Sequence, residues 1–454
     1  MDDRVKRNLK RFSYQICILF FVNMCLINFK RLVNSVIKMT KNGNVKNGIL
    51  FAVFSFLNMG INFIITMILA RYILPDSYGK LSLFFVIVSM FNIFICLGVN
   101  SYKSTQFFKL DKERIVRLIN VTITVSLLVY ILLLMFIVLF PSLFSNVLGL
   151  NSLYQFYALT YCLTHIFSME LLDIWRLEES VWRYGTFTVL SLVMNLLLTV
   201  LFVWEMRFDW EGRVYAMIVT GVLFAFIALY VLHRKGYLSL VKPTMQDYKR
   251  ALTYGLPLIP HGTSFWLRQG LDRILINTYF SQATVGLFSL AANFSNVIQV
   301  IASAFNQSNS VYIYKKLSSL EMDQLPSFKK KCFLQVLFYV FLSLIIFIGA
   351  YFFLPLLFPK YIEARFYIFP LCMGSMFQCI YLVYVNILFF YGCTKQLMYI
   401  TFSFSLLHSF LSIFMTKYDA FFTACIPVMV NSIVALSVYR YAMRLLERKV
   451  GKEN

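Results

Sequence analysis

The sequence predicts an all-α integral membrane protein, with about twelve transmembrane helices in two parallel six-helix repeats around a central cavity. Three observations predict it. Of 454 residues, 60% are hydrophobic and only 14% charged, too few polar side chains to coat a water-facing surface. The apolar residues fall into twelve runs, each close to the about 20 needed to cross about 30 Å of hydrocarbon. A pattern in the first half also recurs in the second at a constant offset.

Taken in order, residues 1–43 form an N-terminal extension. Its "FSYQICILFFVNMCLINF" (12–29) is long enough to span, but five basic residues flank it on each side, so charge assigns it no orientation. An interfacial helix, or an upstream start codon with Met39 of "MTKNGNVKNGILF" as the natural beginning, is expected there. Spans follow near 49–70, 80–101, 118–140, 153–174, 186–204 and 214–232, making an N-terminal half over 44–235. A linker (236–250) leads to spans near 251–278, 283–307, 332–353, 366–390, 396–416 and 420–440. These make a C-terminal half over 251–441, and a basic tail (442–454) closes the chain.

Orientation follows from the basic residues. With both termini in the cytoplasm, 33 of the 42 Lys and Arg lie on the cytoplasmic side, and the 141–152 loop has none. Arg71, Lys80, Arg207 and Arg213 count among the outside charges. The net charge of +22 thus reads as membrane orientation, with no soluble basic domain to hold a nucleic acid. The nine cysteines lie almost entirely in apolar runs without a C-x-x-C, which indicates neither a metal site nor a disulfide framework. No P-loop supports ATP hydrolysis, and no cleavable signal pattern is present.

The repeat is carried by "YILPDSYGKLSL" (72–83) and "YFSQATVGLFSL" (279–290), which share Tyr-x6-Gly-x2-Ser-Leu at an offset of 207. The same offset pairs Asn92 with Gln299, Asn100 with Gln307 and Lys109 with Lys316, and it maps span one onto span seven. Parallel halves related by an axis along the membrane normal are a transporter architecture, which suggests alternating access.

The stretch "NGILFAVFSFLNMGINFIITMILARYILPDSYGKLSLF" (47–84), with "YGLPLIPHGTSFWLRQGLDRILINTYFSQATVGLFSLAANF" (254–294), "SAFNQS" (303–308) and "YIYKK" (312–316), resembles Wzx-type flippases. These form the polysaccharide branch of the multidrug/oligosaccharidyl-lipid/polysaccharide exporter superfamily. The resemblance implies a non-enzymatic carrier in the bacterial inner membrane. It implies transfer of an undecaprenyl-diphosphate-linked oligosaccharide from the cytoplasmic to the periplasmic leaflet, for O-antigen, lipopolysaccharide, capsule or exopolysaccharide. Membrane lipids, a polysaccharide polymerase and chain-length machinery are the implied partners, and no cofactor is implied. Two alternatives stay open: a multidrug or cation exporter of the same superfamily, and a membrane-embedded polymerase or acyltransferase.

Charges inside spans cost about 2.5–3.5 kcal/mol each on insertion scales, so each invites a role. Span seven places His261, Ser264, Phe265, Arg268 and Asp272 on one helical stripe. By rise per residue, Arg268 sits about 5 Å from the midplane, too deep to snorkel. It is the candidate for binding diphosphate or an acidic sugar with Asp272 orienting it, the alternative being an i,i+4 pair that only neutralises itself. Arg273, about 100° round from Asp272, is a further candidate, with outward snorkelling as its alternative. Arg71 and Lys103 lie at helix ends where a cleft can reach them. Asp272, Asp173 and Glu170 are the candidates for coupling to a proton or sodium; Glu170 and Asp173 read alternatively as solvated groups near Arg176. His165 is expected to be packed, and Lys109, Lys315 and Lys316 to meet lipid headgroups.

Overall fold

The computed structural model describes residues 43–239 and 241–450, so the expectations for residues 1–38 lie outside the described residues. The chain is built from helices. The N-terminal half holds α1 (Gly43–Tyr72), α2 (Pro75–Phe94), α3 (Val99–Gln106), α4 (Lys112–Leu139), α5 (Pro141–Leu148), α6 (Ser152–Leu177), α7 (Val181–Val200, extended by a π turn at Leu201–Glu205) and α8 (Asp209–Arg234). A connecting helix α9 (Met245–Gly255) precedes α10 (Leu258–Tyr279), α11 (Gln282–Leu317), α12 (Leu325–Leu357), α13 (Arg365–Phe390), α14 (Thr394–Met415) and α15 (Ala420–Val450).

All twelve expected spans are helices. Nine are long and apolar enough to cross a bilayer among the described residues. The remaining long helices are α1, α6 and α10. Both α6 and α10 carry ionisable residues along their buried faces, which lowers their hydropathy without lowering their burial.

Two breaks were not legible. The span expected at 80–101 ends at Phe94, and the chain turns through Leu97 (φ +48°) and Gly98 (φ +70°) into α3. Gly98 fits the left-handed region without a Cβ penalty, and it lies against the backbone of Gly255 at the end of α9. The counterpart of this break in the second half is the uninterrupted α11. The span expected at 251–278 is also divided. A capping box between Thr244 and Asp247 starts α9, an amphipathic helix separate from α10.

The two halves meet where α2 and α11 cross, at the end of the bundle poor in basic residues. A methyl at Gly79 would collide with the carbonyl of Gln282, and one at Gly286 with the carbonyl of Pro75. These pairs are related by the same offset of 207, so the crossing lies on the repeat axis. One turn further in, Ser82 and Ser289 hydrogen-bond directly at 2.6 Å. Around this seam, Tyr361 donates to the Ile73 carbonyl at 3.0 Å, and Gln282 donates to the Gly149 carbonyl at 3.3 Å.

Ser82→Cys with Ser289→Cys, in a background free of native cysteines, is expected to form a disulfide on mild oxidation. Cleavage at a protease site inserted in the 236–250 linker reads this out, since only the cross-linked chain stays whole under non-reducing conditions. Adding Gly79→Ala should lower the cross-linked fraction severalfold. Equal yields with and without that methyl would show that the crossing does not depend on glycine.

Candidate functional site

Inward from the seam lies a cavity of about 560 Å³ between the halves. Its walls are α1, α2 and α8 on one side and α10 and α11 on the other. A second lobe of about 130 Å³ lies within the C-terminal half, between α10, α11, α13, α14 and α15. Both lobes are lined by Phe265, Gln269 and Arg273 of α10, so this helix is the partition. Trp266 anchors it to α2 by donating to the Val86 carbonyl at 3.1 Å.

The repeat relation orders the large lobe. Shifted by 207, Asn62 matches Gln269, Thr66 matches Arg273 and Ser82 matches Ser289, and all six line it. Equivalent positions of the two halves face one space because that space lies on their common axis.

Three guanidiniums serve the lobes. Arg273 is turned inward: its Nε donates to Ser289 Oγ at 3.0 Å and one Nη to the Gln269 carbonyl at 2.6 Å. The alternative of outward snorkelling is therefore corrected; the Ser82–Ser289 seam offers a polar anchor closer than the lipid interface. Arg268 lines the small lobe with its guanidinium 5.1 Å from the centre of the Phe265 ring, and its Nε is buried without a hydrogen-bond partner. Arg213, expected among the outside charges, is instead 5% exposed in the wall of the large lobe. It donates to Asn195 and, at 2.8 Å, to Thr199, while its Nε has no hydrogen-bond partner.

Asp272 does not orient Arg268. Its carboxylate accepts from Ser412 Oγ at 2.7 Å and stands 3.2 Å from His408 Nε2 through both oxygens. Both the orienting and the self-neutralising i,i+4 readings give way here, because α14 supplies closer polar partners than the next turn of α10. Just past the end of α14, Thr416 accepts from Thr423 of α15 at 2.8 Å, with both residues fully buried.

Lys103, Glu170, Asp173, Arg71 and His165 line neither lobe. Lys103, on α3, is fully buried against Glu170, with Asp173 at 3.9 Å and Arg176 on Asp173 at 2.7 Å. This four-residue cluster sits between α3 and α6, so Lys103 is spent on carboxylates and Glu170 is not a solvated group. Arg71 donates to the Leu357 carbonyl at 3.3 Å, reaching the last residue of α12. His165 stacks on Tyr161, their centroids 5.8 Å apart. His261 lies on α10, and its side chain is outside the described residues. No group of three or more His, Cys, Asp or Glu able to hold a metal occurs among the described residues.

Two residues escaped the sequence reading. Arg213 sits one turn into α8, close enough to a loop to be counted with it. His408 left a signal in "SFSLLHSFLS" (403–412), where Ser405, His408 and Ser412 share one helix face.

The family described as "Polysaccharide biosynthesis protein" matches residues 44–311, more than half of the chain, and the chain belongs to that family. An uncharacterised membrane protein of Haemophilus influenzae is 25% identical over 74% of this chain and 81% of its own length. A protein of the Lsg locus of the same organism is 24% identical over 77% and 86%. Among solved structures, an inward-facing multidrug-resistance MATE family transporter of the MOP superfamily superposes with a TM-score of 0.66 at 16% identity, over 86% of this chain and 95% of that one. A MOP superfamily transporter from Pyrococcus furiosus, described as having a binding pocket of reversed polarity, gives 0.58 at 16% identity over 88% and 96%. The chain therefore has the MOP transporter fold and is a multi-pass membrane protein.

Lys103→Met is expected to destabilise the protein by about 3–5 kcal/mol, since it strands Glu170 in an apolar interior. Lys103→Met combined with Glu170→Leu should recover most of that loss, read from denaturant midpoints of the purified protein. Wild-type stability of the single variant, with transport lost, would return Lys103 to the substrate ligands.

Proposed function

We propose that this member of the polysaccharide biosynthesis family carries an undecaprenyl-diphosphate-linked oligosaccharide across the bacterial inner membrane, from the cytoplasmic to the periplasmic leaflet. The observation that carries this reading is the charge of the cavity. Arg213, Arg268 and Arg273 line its two lobes, against a single carboxylate among the described residues, Asp272, already engaged by His408 and Ser412. A diphosphate is the natural counter-ion for such a site, because a guanidinium stays charged in low dielectric and can hold two phosphate oxygens at once. The amides and hydroxyls of Asn62, Thr66, Ser89, Gln269 and Asn293 suit the sugar hydroxyls. The prenyl tail needs no enclosure, since lipid is its solvent. Organic cations, the substrates of a multidrug exporter, would meet three like charges, which favours the polysaccharide reading within the shared fold.

The glycine seam closes one end of the bundle, and the large lobe lies on the other side of it, toward the basic end. With that end in the cytoplasm by the charge asymmetry, the cavity faces the leaflet on which the substrate is assembled. Transport then requires the seam at Gly79 and Gly286 to part while the α9-bearing end closes. Lys and Arg at the basic end also suit anionic lipid headgroups, and a polymerase acting on the released repeat unit is the expected downstream partner.

Arg268→Ala should abolish surface polysaccharide in a strain deleted for the gene, at normal membrane abundance, while Arg268→Lys keeps a part. Undiminished polysaccharide with Arg268→Ala would remove the guanidinium from the substrate site. Orientation is tested separately by thiol labelling in a background without native cysteines. Ser145→Cys should react with an impermeant maleimide in intact cells with a permeabilised outer wall, and Ser239→Cys should not; the reverse pattern would invert the direction of transport.

A further inference from the structure

We propose that a groove between α11 and α12, at the basic end of the bundle, holds a single anionic glycerophospholipid of the surrounding leaflet, whatever the central cavity carries. The two helices run antiparallel here and meet in three rungs. Lys331 donates to Tyr312 Oη at 2.6 Å, its ammonium 5.1 Å from the centre of that ring. One turn deeper, Asn309 donates to Gln335 Oε1 at 2.9 Å. Deeper again, the rings of Phe305 and Phe338 lie 5.5 Å apart. All six residues line a groove of about 340 Å³, and none of them lines either lobe. That volume falls in the range of about 300–1,000 Å³ found for ligand sites. Ile313, Phe328 and Cys332 are its buried floor, while Phe305, Tyr312, Leu334 and Phe338 are exposed, so the groove opens sideways.

The depth of the rungs follows from the sequence. The 33 residues of α12 make a helix about 50 Å long, which overhangs about 30 Å of hydrocarbon. Three lysines at 329–331 place the overhang at its start, and no further charge follows until Lys360. Lys331 thus marks the level where headgroups give way to hydrocarbon. A headgroup layer is about 5–8 Å deep, close to one turn of helix. The sequence of rungs is cation with phenol, then amides, then aromatic rings. It matches phosphate, then glycerol esters, then acyl chains.

Charge decides the class of lipid. Among the described residues, no Asp or Glu lines the groove. Lys329 is held by Glu447 of α15 at 2.8 Å, whereas Lys331 meets a neutral phenol. An ammonium has three donors and Tyr312 takes one, so donors are left for phosphate oxygens. A zwitterionic lipid brings its own cation to the same level and gains less from Lys331.

The purified full chain in detergent micelles is titrated with phosphatidylglycerol and with phosphatidylcholine, and bound lipids are counted by native mass spectrometry. The wild type should hold a single phosphatidylglycerol about fivefold tighter than phosphatidylcholine, the preference that one lysine confers near an anionic lipid. Lys331→Gln should remove most of that preference. Lys330→Gln, one residue round the helix and outside the groove, should keep it. Leu334→Trp, which fills the groove from an exposed position, should lower retention of both lipids severalfold. A wild type without preference, or a preference that Lys331→Gln leaves intact, overturns the proposal. Equal losses in Lys330→Gln and Lys331→Gln show diffuse surface charge and overturn it too. Tighter binding of undecaprenyl phosphate that Leu334→Trp abolishes gives the groove to a prenyl carrier, and a dimer that Leu334→Trp dissociates gives it to a second copy. Either result overturns the phospholipid assignment.

Discussion

The close approach of α2 and α11 is the constraint from which the rest of the structure follows. Between helices in lipid there is little hydrophobic drive, so association rests on packing of small residues and on hydrogen bonds. Gly79 and Gly286 supply the first, because the carbonyls of Gln282 and Pro75 occupy the space a side chain would take. Ser82 and Ser289 supply the second. Ser289 also accepts from Arg273, so the seam that joins the halves positions a cation at the closed end of the cavity. The cavity starts where the seam ends, and its first lining residues are the next equivalent pairs along the axis.

Buried charge is handled in two ways. In the N-terminal half, Lys103, Glu170, Asp173 and Arg176 cancel one another within a few ångströms and line neither lobe. Removing one member would leave an ion in a medium that cannot solvate it, so the cluster is best read as structure. Arg213 and Arg268 are treated differently. Arg213 is buried and Arg268 half-buried, each lines a lobe, and neither has a carboxylate partner among the described ion pairs. Such an arrangement is costly in the empty protein and becomes favourable when an anion arrives. The contrast separates scaffold from site more firmly than depth in the membrane does.

Much of the fold was legible because it depends on periodicity and on counting. Twelve apolar runs needed only the thickness of the bilayer, and the 207-residue offset already named the two serines that touch. The break at Leu97–Gly98 was not legible, since an apolar run looks the same whether its helix continues or kinks. The candidate site was legible in part. Depth in span seven pointed to Arg268, Asp272 and Arg273, but one helix's stripe cannot say what a distant helix brings to it. Asp272 therefore looked like a partner for Arg268, four residues away, when His408 and Ser412, 136 and 140 residues on, were closer. Arg213 was hidden for the opposite reason: nearness to a loop suggested solvent, while the fold turned it inward onto Asn195 and Thr199.

The repeat is symmetric in its backbone and unsymmetric in its charge. Shifted by 207, Arg268 meets Ile61, Asp272 meets Ile65 and Arg273 meets Thr66, and Arg213 in turn meets Ala420. Three of the four ionic groups at the cavity thus ride on α10, while α1, its counterpart, offers an amide and a hydroxyl at the same level. On the proposed reading this asymmetry has a use. If each half moves as a unit, an anion held by α10 keeps its counter-charges through the exchange of open ends, because they travel with it. Contacts to the opposite wall, made largely by neutral groups to neutral sugar, can be broken and remade at the cost of hydrogen bonds that water replaces. Opposed cationic walls would instead tie the anion to both halves and raise the barrier to their separation. Two of the three guanidiniums ride on α10, so Arg213 is the cationic contact on the opposite wall that must yield together with the glycine seam.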